Sequence, residues 1–277
     1  MATNDEIAAP SLTRRVSTSV WSRGAVGIVV FLLLAELLGV TGVIKKTALP
    51  LMSTALGHAV GLIASKQFLI DFTATLEAWA IGMAITVAVG VPLGLVLGSV
   101  PVVRSATRAV VEFLRPIPSV ALIPLVALIL GPGLRMDLTL IVYASIWPVL
   151  FNTIYGLDDV DPVAKDTLRA FGFGRLDVIR RVSLPAAAPF IATGIRVASS
   201  IALILNIATG IITGRIDGNG IGAFISDANT ANNLSDVLGA ALWAGVIGLA
   251  LNALLLQAER KVLPWHRAYL GETEASR

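Results

Sequence analysis

Long apolar runs alternate along this chain with short segments that carry most of the charge, and the runs have the length of about 20 residues that a bilayer crossing needs. Stretches at 25–43, 72–98, 138–157, 186–213 and 237–258 read as spans. A further run, 117–133, is short for a crossing and is broken by Pro118, Pro124 and Pro132. It reads as a kinked span that takes in part of 106–114. The pattern predicts an all-α polytopic membrane protein with six transmembrane helices.

Departures from the apolar pattern mark positions of interest. Gly82, Gly90 and Gly94 fall on one side of the second span at multiples of four, a spacing that lets helices pack closely in lipid. Pro92 in the same span predicts a kink. Glu36 lies in the first span, where an acid is either a functional group or faces a partner helix. Arg196, in the fifth, either snorkels toward headgroups or meets substrate. Ser145, Ser199, Ser200, Asn206 and Thr209 are polar but uncharged, and are candidates for lining a solute pathway. Residues 44–71 read as an external loop whose 56–70 portion suits an interfacial helix. Residues 214–236 read as a turn-rich external loop, with Asp217, Gly218, Asn219 and Gly220 as its turn signal.

Composition agrees with the pattern and removes several kinds of chemistry. The 277 residues are 56% hydrophobic and 14% charged, with a mean hydropathy of +0.83, too apolar for a soluble domain. There is no Cys, and His58 and His266 are isolated, so the sequence offers no metal or cofactor site and little for a membrane enzyme to work with. Nothing has the interleaved basic and aromatic character of a nucleic-acid surface. Of the 21 Lys and Arg, fifteen fall on the side of the N-terminus, five on the other, and Arg196 within a span. The positive-inside rule therefore puts both termini in the cytoplasm of a prokaryote, with 1–24, including Arg14 and Arg15, and 259–277 as cytoplasmic tails.

The one long charged, helix-forming segment between spans is VDPVAKDTLRAFGFGRLDVIRRVSLPAAAP, residues 160–189. Asp161 is placed to cap a helix that starts at Pro162, and Gly172 to end it in a left-handed turn. Ala164, Leu168 and Phe171 share one face of it. A second short helix follows over 175–182, with Leu176, Ile179 and Val182 on one side and Arg175, Arg180 and Arg181 on the other. Pro185 and Pro189 then open the fifth span.

These residues resemble the cytoplasmic "EAA" loop of permease subunits of ATP-binding-cassette importers. Asp166 stands at the Glu position, Gly172 at the Gly six residues on, Val182 at the usual Ile, and Leu184-Pro185 at the closing pair, while Thr167 and Leu168 replace the two Ala. RPIPSVALIPLVALILGPG, YASIWPVLFNTIYGL and SLPAAAPFIATGIRVA extend the resemblance, from about Thr73 to His266, to permeases for nitrate, aliphatic sulfonates and taurine. The resemblance implies a type I importer fold: an extra first helix and external loop over 25–71, then a core over 72–258 that holds a coupling helix at 161–173. It implies that Val163, Ala164, Asp166, Thr167, Leu168, Arg169, Ala170, Phe171 and Gly172, with Leu184 and Pro185, couple the permease to a cytoplasmic ATPase subunit. It further implies an extracytoplasmic substrate-binding protein and a second permease copy as partners. The chain has no Gly-rich phosphate loop ending in Lys and Ser or Thr, so ATP hydrolysis is expected on a separate subunit. An ion-gradient-driven secondary transporter is the other class that the residues allow, with Glu36 and Glu77 as its coupling acids.

Overall fold

The computed structural model of the chain describes residues 20–41, 50–214 and 220–265. Most of both expected tails, the Asp217–Asn219 turn and His266 lie outside the described residues. Two compact units are formed, 1–54 and 55–277. In the first, α1 (Val20–Val40) is an apolar helix of 21 residues. Its Glu36 is tied to the start of the next helix, α2 (Met52–Leu62), accepting from the Ser53 N–H at 3.0 Å and the Ser53 hydroxyl at 2.8 Å. Those N–H groups have no partner within their own helix, and a carboxylate is the stronger acceptor for them. Glu36 thus caps a neighbouring helix.

The second unit holds α3 (Lys66–Ser99), α4 (Pro101–Leu114), α5 (Ile123–Leu130), α6 (Leu134–Asp158), α7 (Pro162–Ala170), α8 (Arg175–Val178), α9 (Leu184–Thr213), α10 (Ile221–Thr230) and α11 (Leu234–Val262). Among the described residues, four helical segments are long and apolar enough to cross a membrane: Lys66–Ser99, Leu134–Asp158, Arg175–Thr213 and Leu234–Val262. A bent pair, Pro101–Leu114 with Ser119–Leu130, makes a fifth if counted as one span, and α1 covers most of the stretch read as the first span.

Packing starts from small residues. Gly82, Gly90, Gly94 and Gly98 of α3 rest on Ile141, Val149, Thr153 and Leu157 of α6, and a Cβ on Gly94 would come within 2.6 Å of the Thr153 Cβ. The contacts advance by four on both helices, so α3 and α6 run parallel. Gly156 and Gly194 then admit α9 against α6, with Gly156 meeting Ala187 and Gly194 meeting Val149, an antiparallel register. Leu203 on α9 approaches Gly248 on α11, and Arg196 on α9 pairs with Glu259 on α11, again antiparallel. One end of the unit therefore gathers the close of α3, the start of α4, the close of α6, α7, the start of α9 and the close of α11.

Several elements differ from their sequence expectation. The expected kink in the third span is a bend of 74° between its two helices. The Leu114 carbonyl at that bend takes the Tyr143 hydroxyl of α6 at 2.9 Å. Pro92 sits inside one uninterrupted α3. No boundary falls at Pro185: α8 passes through a π-helical turn, Ile179–Ser183, straight into α9, because the wider turn absorbs the missing N–H of a proline. The 214–236 loop contains α10, where Gly222 lies against the backbone of Ile207 and Gly210. The buried N–H groups at its start are satisfied from α3, Gly220 N–H donating to Asp71 Oδ1 and Ile221 N–H to Thr75 Oγ1, both at 2.9 Å. His58, read as isolated, meets Asp236 at 2.7 Å.

The ladder predicts a position-specific cost. Gly94→Val forces two backbones apart and is expected to destabilise the fold by about 2 kcal/mol, whereas Gly57→Ala, with open space around it, stays within about 0.5 kcal/mol. Thermal unfolding of the two variants in detergent separates them.

Candidate coupling site

The α7 segment is fixed at both ends by local chemistry. The Asp161 carboxylate accepts from the Val163 N–H at 2.8 Å, and Pro162 occupies the first helical position, where no N–H is needed. At the other end Gly172 adopts φ +84°, the Gly172 N–H reaches the Arg169 carbonyl at 2.9 Å, and the Phe173 N–H reaches the Leu168 carbonyl at 3.1 Å. That crossed pair of bonds is a Schellman closure, and it requires a residue free to be left-handed. Asp166 and Arg169 pair at 2.9 Å on the exposed side.

Two attachments hold α7 to the bundle. Lys165 Nζ donates to the Leu157 carbonyl of α6 at 3.1 Å, satisfying one of the unpaired carbonyls at that helix end. After the turn at Gly174, α8 continues into α9 through the π turn, where Leu184 and Pro185 are half-buried. Ala164 and Leu168 are half-buried as their spacing predicts. Phe171 leaves that face: it follows the last helical residue and is 78% exposed, while Val163 in the first turn is 69% exposed. Thr167 and Ala170 are exposed with them. A short, tightly capped helix thus presents two apolar side chains outward at the end of the bundle.

The five pathway candidates fall in a different setting. Ser145 is fully buried and donates to the Ala198 carbonyl at 3.2 Å; Asn206 donates to the Thr75 carbonyl at 2.9 Å; Thr209 donates to Asp137 Oδ1 at 2.8 Å. Ser199 is buried, and its carbonyl accepts from the Trp79 indole at 3.2 Å. Ser200 is the exposed one of the five. Four of them are therefore packed between helices in this conformation. Asp137, the partner of Thr209, sits in the first turn of α6, just outside the span as drawn from hydropathy, and the pattern gave no sign of it. Arg196 Nε lies 3.3 Å from Glu259 Oε2. Its partner was hidden because Glu259 reads as the first residue of the tail, whereas α11 runs on to Val262. Among the described residues no group of three or more His, Asp or Glu is arranged to hold a metal ion.

Residues 90–264 match the family model for the binding-protein-dependent transport system inner membrane component. The chain belongs to that family. This permease is 30% identical over 194 residues to the nitrate import permease protein NrtB of Leptolyngbya laminosa, covering 70% of this chain and 68% of that one. It is 28% identical over 190 residues to the bicarbonate transport system permease protein CmpB of Synechococcus elongatus, covering 69% and 68%. Its fold is similar to that of the MetNI methionine ABC transporter in an inward-facing conformation, with a TM-score of 0.57 at 16% identity over 72% of this chain and 97% of that one. It is also similar to a bacterial alginate ABC transporter, with a TM-score of 0.62 at 16% identity over 88% and 98%.

The permease is therefore a membrane subunit of the ABC importer class with the type I fold, and membership of this family decides against a gradient-driven secondary transporter. Two substitutions test the site's local construction. Gly172→Ala forces a Cβ into a left-handed residue and is expected to cost about 1 kcal/mol of α7 stability, seen as faster amide exchange at Phe173. Arg196→Ala leaves Glu259 without its cation and is expected to destabilise by roughly 2 kcal/mol, most of it recovered when Glu259→Leu is added, as read by thermal unfolding.

Proposed function

We propose that this chain is the transmembrane permease of an ATP-driven importer for a small anion of the nitrate, bicarbonate or sulfonate kind, working as a pair of permease copies. The observation that carries the reading is α7: a rigidly capped helix with Val163 and Phe171 standing free, hung from α6 and joined through α8 and the π turn to α9. Such a surface fits a cleft on a separate ATPase subunit, where the ATP would be hydrolysed. Cations gather at the same end of the bundle, with Lys165, Arg169, Arg175, Arg180, Arg181, Arg260 and Lys261. That distribution supports a cytoplasmic position for α7 in a prokaryotic plasma membrane, with both termini on the same side. A binding protein would deliver solute at the opposite end, beside α10.

Closure of the ATPase would push α7, and Lys165 and the π turn would pass that displacement to α6 and α9 together. Alternation between two packed arrangements, each favoured by one nucleotide state, would then open the route to one side at a time. Ser200 is proposed to face the route. Ser145, Ser199, Asn206 and Thr209 would position its walls from within. The solute class rests on the relatives that carry nitrate and bicarbonate in their names.

Co-purification with the ATPase encoded beside this chain tests the reading. The wild type is expected to retain it, and Phe171→Asp, which leaves the spans untouched, is expected to lose it by at least about tenfold. An ATPase held equally by both forms removes α7 as the docking element, and one held by neither removes the ATP-driven reading.

A further inference from the structure

Three arginines line a cavity of about 500 Å³ between the close of α3, α4 and the last two turns of α6, and they are not equivalent. Arg104 is locked to Asp158 by two bonds, at 3.1 and 3.0 Å. Arg108 is paired with Glu112 at 2.7 Å. Arg115 has no carboxylate partner among the described residues. Instead its guanidinium carbon lies 4.4 Å from the centre of the Phe151 ring, which is itself stacked on Tyr155. Two of the three charges are already neutralised within the chain. The third is not.

Arg115 is an exposed residue, and its platform Phe151 lies about 10 Å along α6 from the helix end at Asp158, so the guanidinium is accessible to a ligand from outside the bundle. Its backbone is also fixed, since the Leu114 carbonyl beside it is held by Tyr143 at the 74° bend. A guanidinium whose face is covered by an aromatic ring keeps its edge N–H donors free in one plane. That is the arrangement that grips a planar or tetrahedral oxyanion through two parallel bonds. A single uncompensated charge matches a monovalent anion. Val111, Leu150 and Ile154 around it leave room for a small organic group.

We propose that Arg115, held over Phe151, is a binding site for a monovalent oxyanion, a station for the transported solute at the α7 end of the route. The station rests on the importer reading; the site itself does not. The same chemistry would take the phosphate of an anionic lipid headgroup, so the test separates the two sources.

The full-length permease, without any ATPase, is placed in discs of phosphatidylcholine and titrated with sodium nitrate or sodium methanesulfonate at constant ionic strength in chloride, reading thermal unfolding. Saturable stabilisation of the wild type is expected, with apparent affinity lowered about tenfold or more in Arg115→Gln. Arg115→Lys, which keeps the charge but loses the fork, is expected to recover only part of it. Discs containing phosphatidylglycerol give the second arm. If that lipid abolishes the nitrate effect, and mass spectrometry finds it retained by the wild type and lost by Arg115→Gln, the site stands but its occupant is a lipid and the solute station is overturned. Equal responses of wild type and Arg115→Gln to both probes overturn the site. Should Arg115→Gln fail to insert, Phe151→Leu removes the aromatic platform while keeping the cation, and unchanged affinity there overturns it equally. Because no ATPase is present, failure here leaves the coupling experiment untouched.

Discussion

In lipid, helices gain nothing from hiding apolar surface from one another, so their association has to come from close backbone approach and from polar contacts made within the bundle. The parallel ladder of Gly82, Gly90, Gly94 and Gly98 on Ile141, Val149, Thr153 and Leu157 supplies the first of these. Because the ladder brings α3 flush against α6, Gly156 and Gly194 can admit α9 on the adjoining face, and α11 then closes against α9. Moving α3 away by one side-chain layer would leave Asn206 short of the Thr75 carbonyl, and Trp79 short of Ser199.

The same three helices carry different devices at their two ends. At one, the free carbonyl of Leu157 takes Lys165, Asp158 takes Arg104, and the π turn leads α8 into α9, so that α4, α7 and α9 all meet the close of α6. At the other, Asp71 and Thr75 of α3 hold the first N–H groups of α10, and Asp137 of α6 holds Thr209 of α9. Apart from the exposed Arg104–Asp158 pair, each tie uses a backbone or side-chain group that would otherwise be unsatisfied at least partly away from water, where leaving it unmade is expensive. Both ends are therefore stiffly referenced to α6, and a push applied at one has a mechanical route to the other.

What could be seen in the sequence follows from this division. Span positions, the glycine stripe and the capped α7 were legible because each depends on residues close together in the chain: an apolar run, a repeat of four, an Asp-Pro start and a Gly stop. The helix α10 within the 214–236 loop was missed for a physical reason. There Gly222 provides close approach to the backbone of Gly210, a purpose that only the folded partner reveals. Pro185 misled because a π turn tolerates a missing donor without ending the helix. Asp137 and Glu259 were invisible because each lies within a turn of a helix end, where hydropathy draws the boundary, while their partners Thr209 and Arg196 lie far along the chain.

The polar pathway candidates show where composition alone stops discriminating. A Ser, Thr or Asn in a span can face water or bind a neighbouring helix, and the residue type is the same in either case. Ser145, Asn206 and Thr209 are bound to neighbouring helices at distances of 2.8 to 3.2 Å, so their hydrogen-bonding capacity is largely spent inside the wall. A solute route between packed helices has to be lined by groups that the chain itself leaves unspent. On this criterion Ser200, though exposed on α9, spends its hydroxyl on the Arg196 carbonyl at 3.4 Å, and the informative residue is Arg115, whose fork no carboxylate among the described residues occupies. A buried polar side chain reports how the wall is built, and an unmatched charge beside a cavity reports what the wall was built to meet.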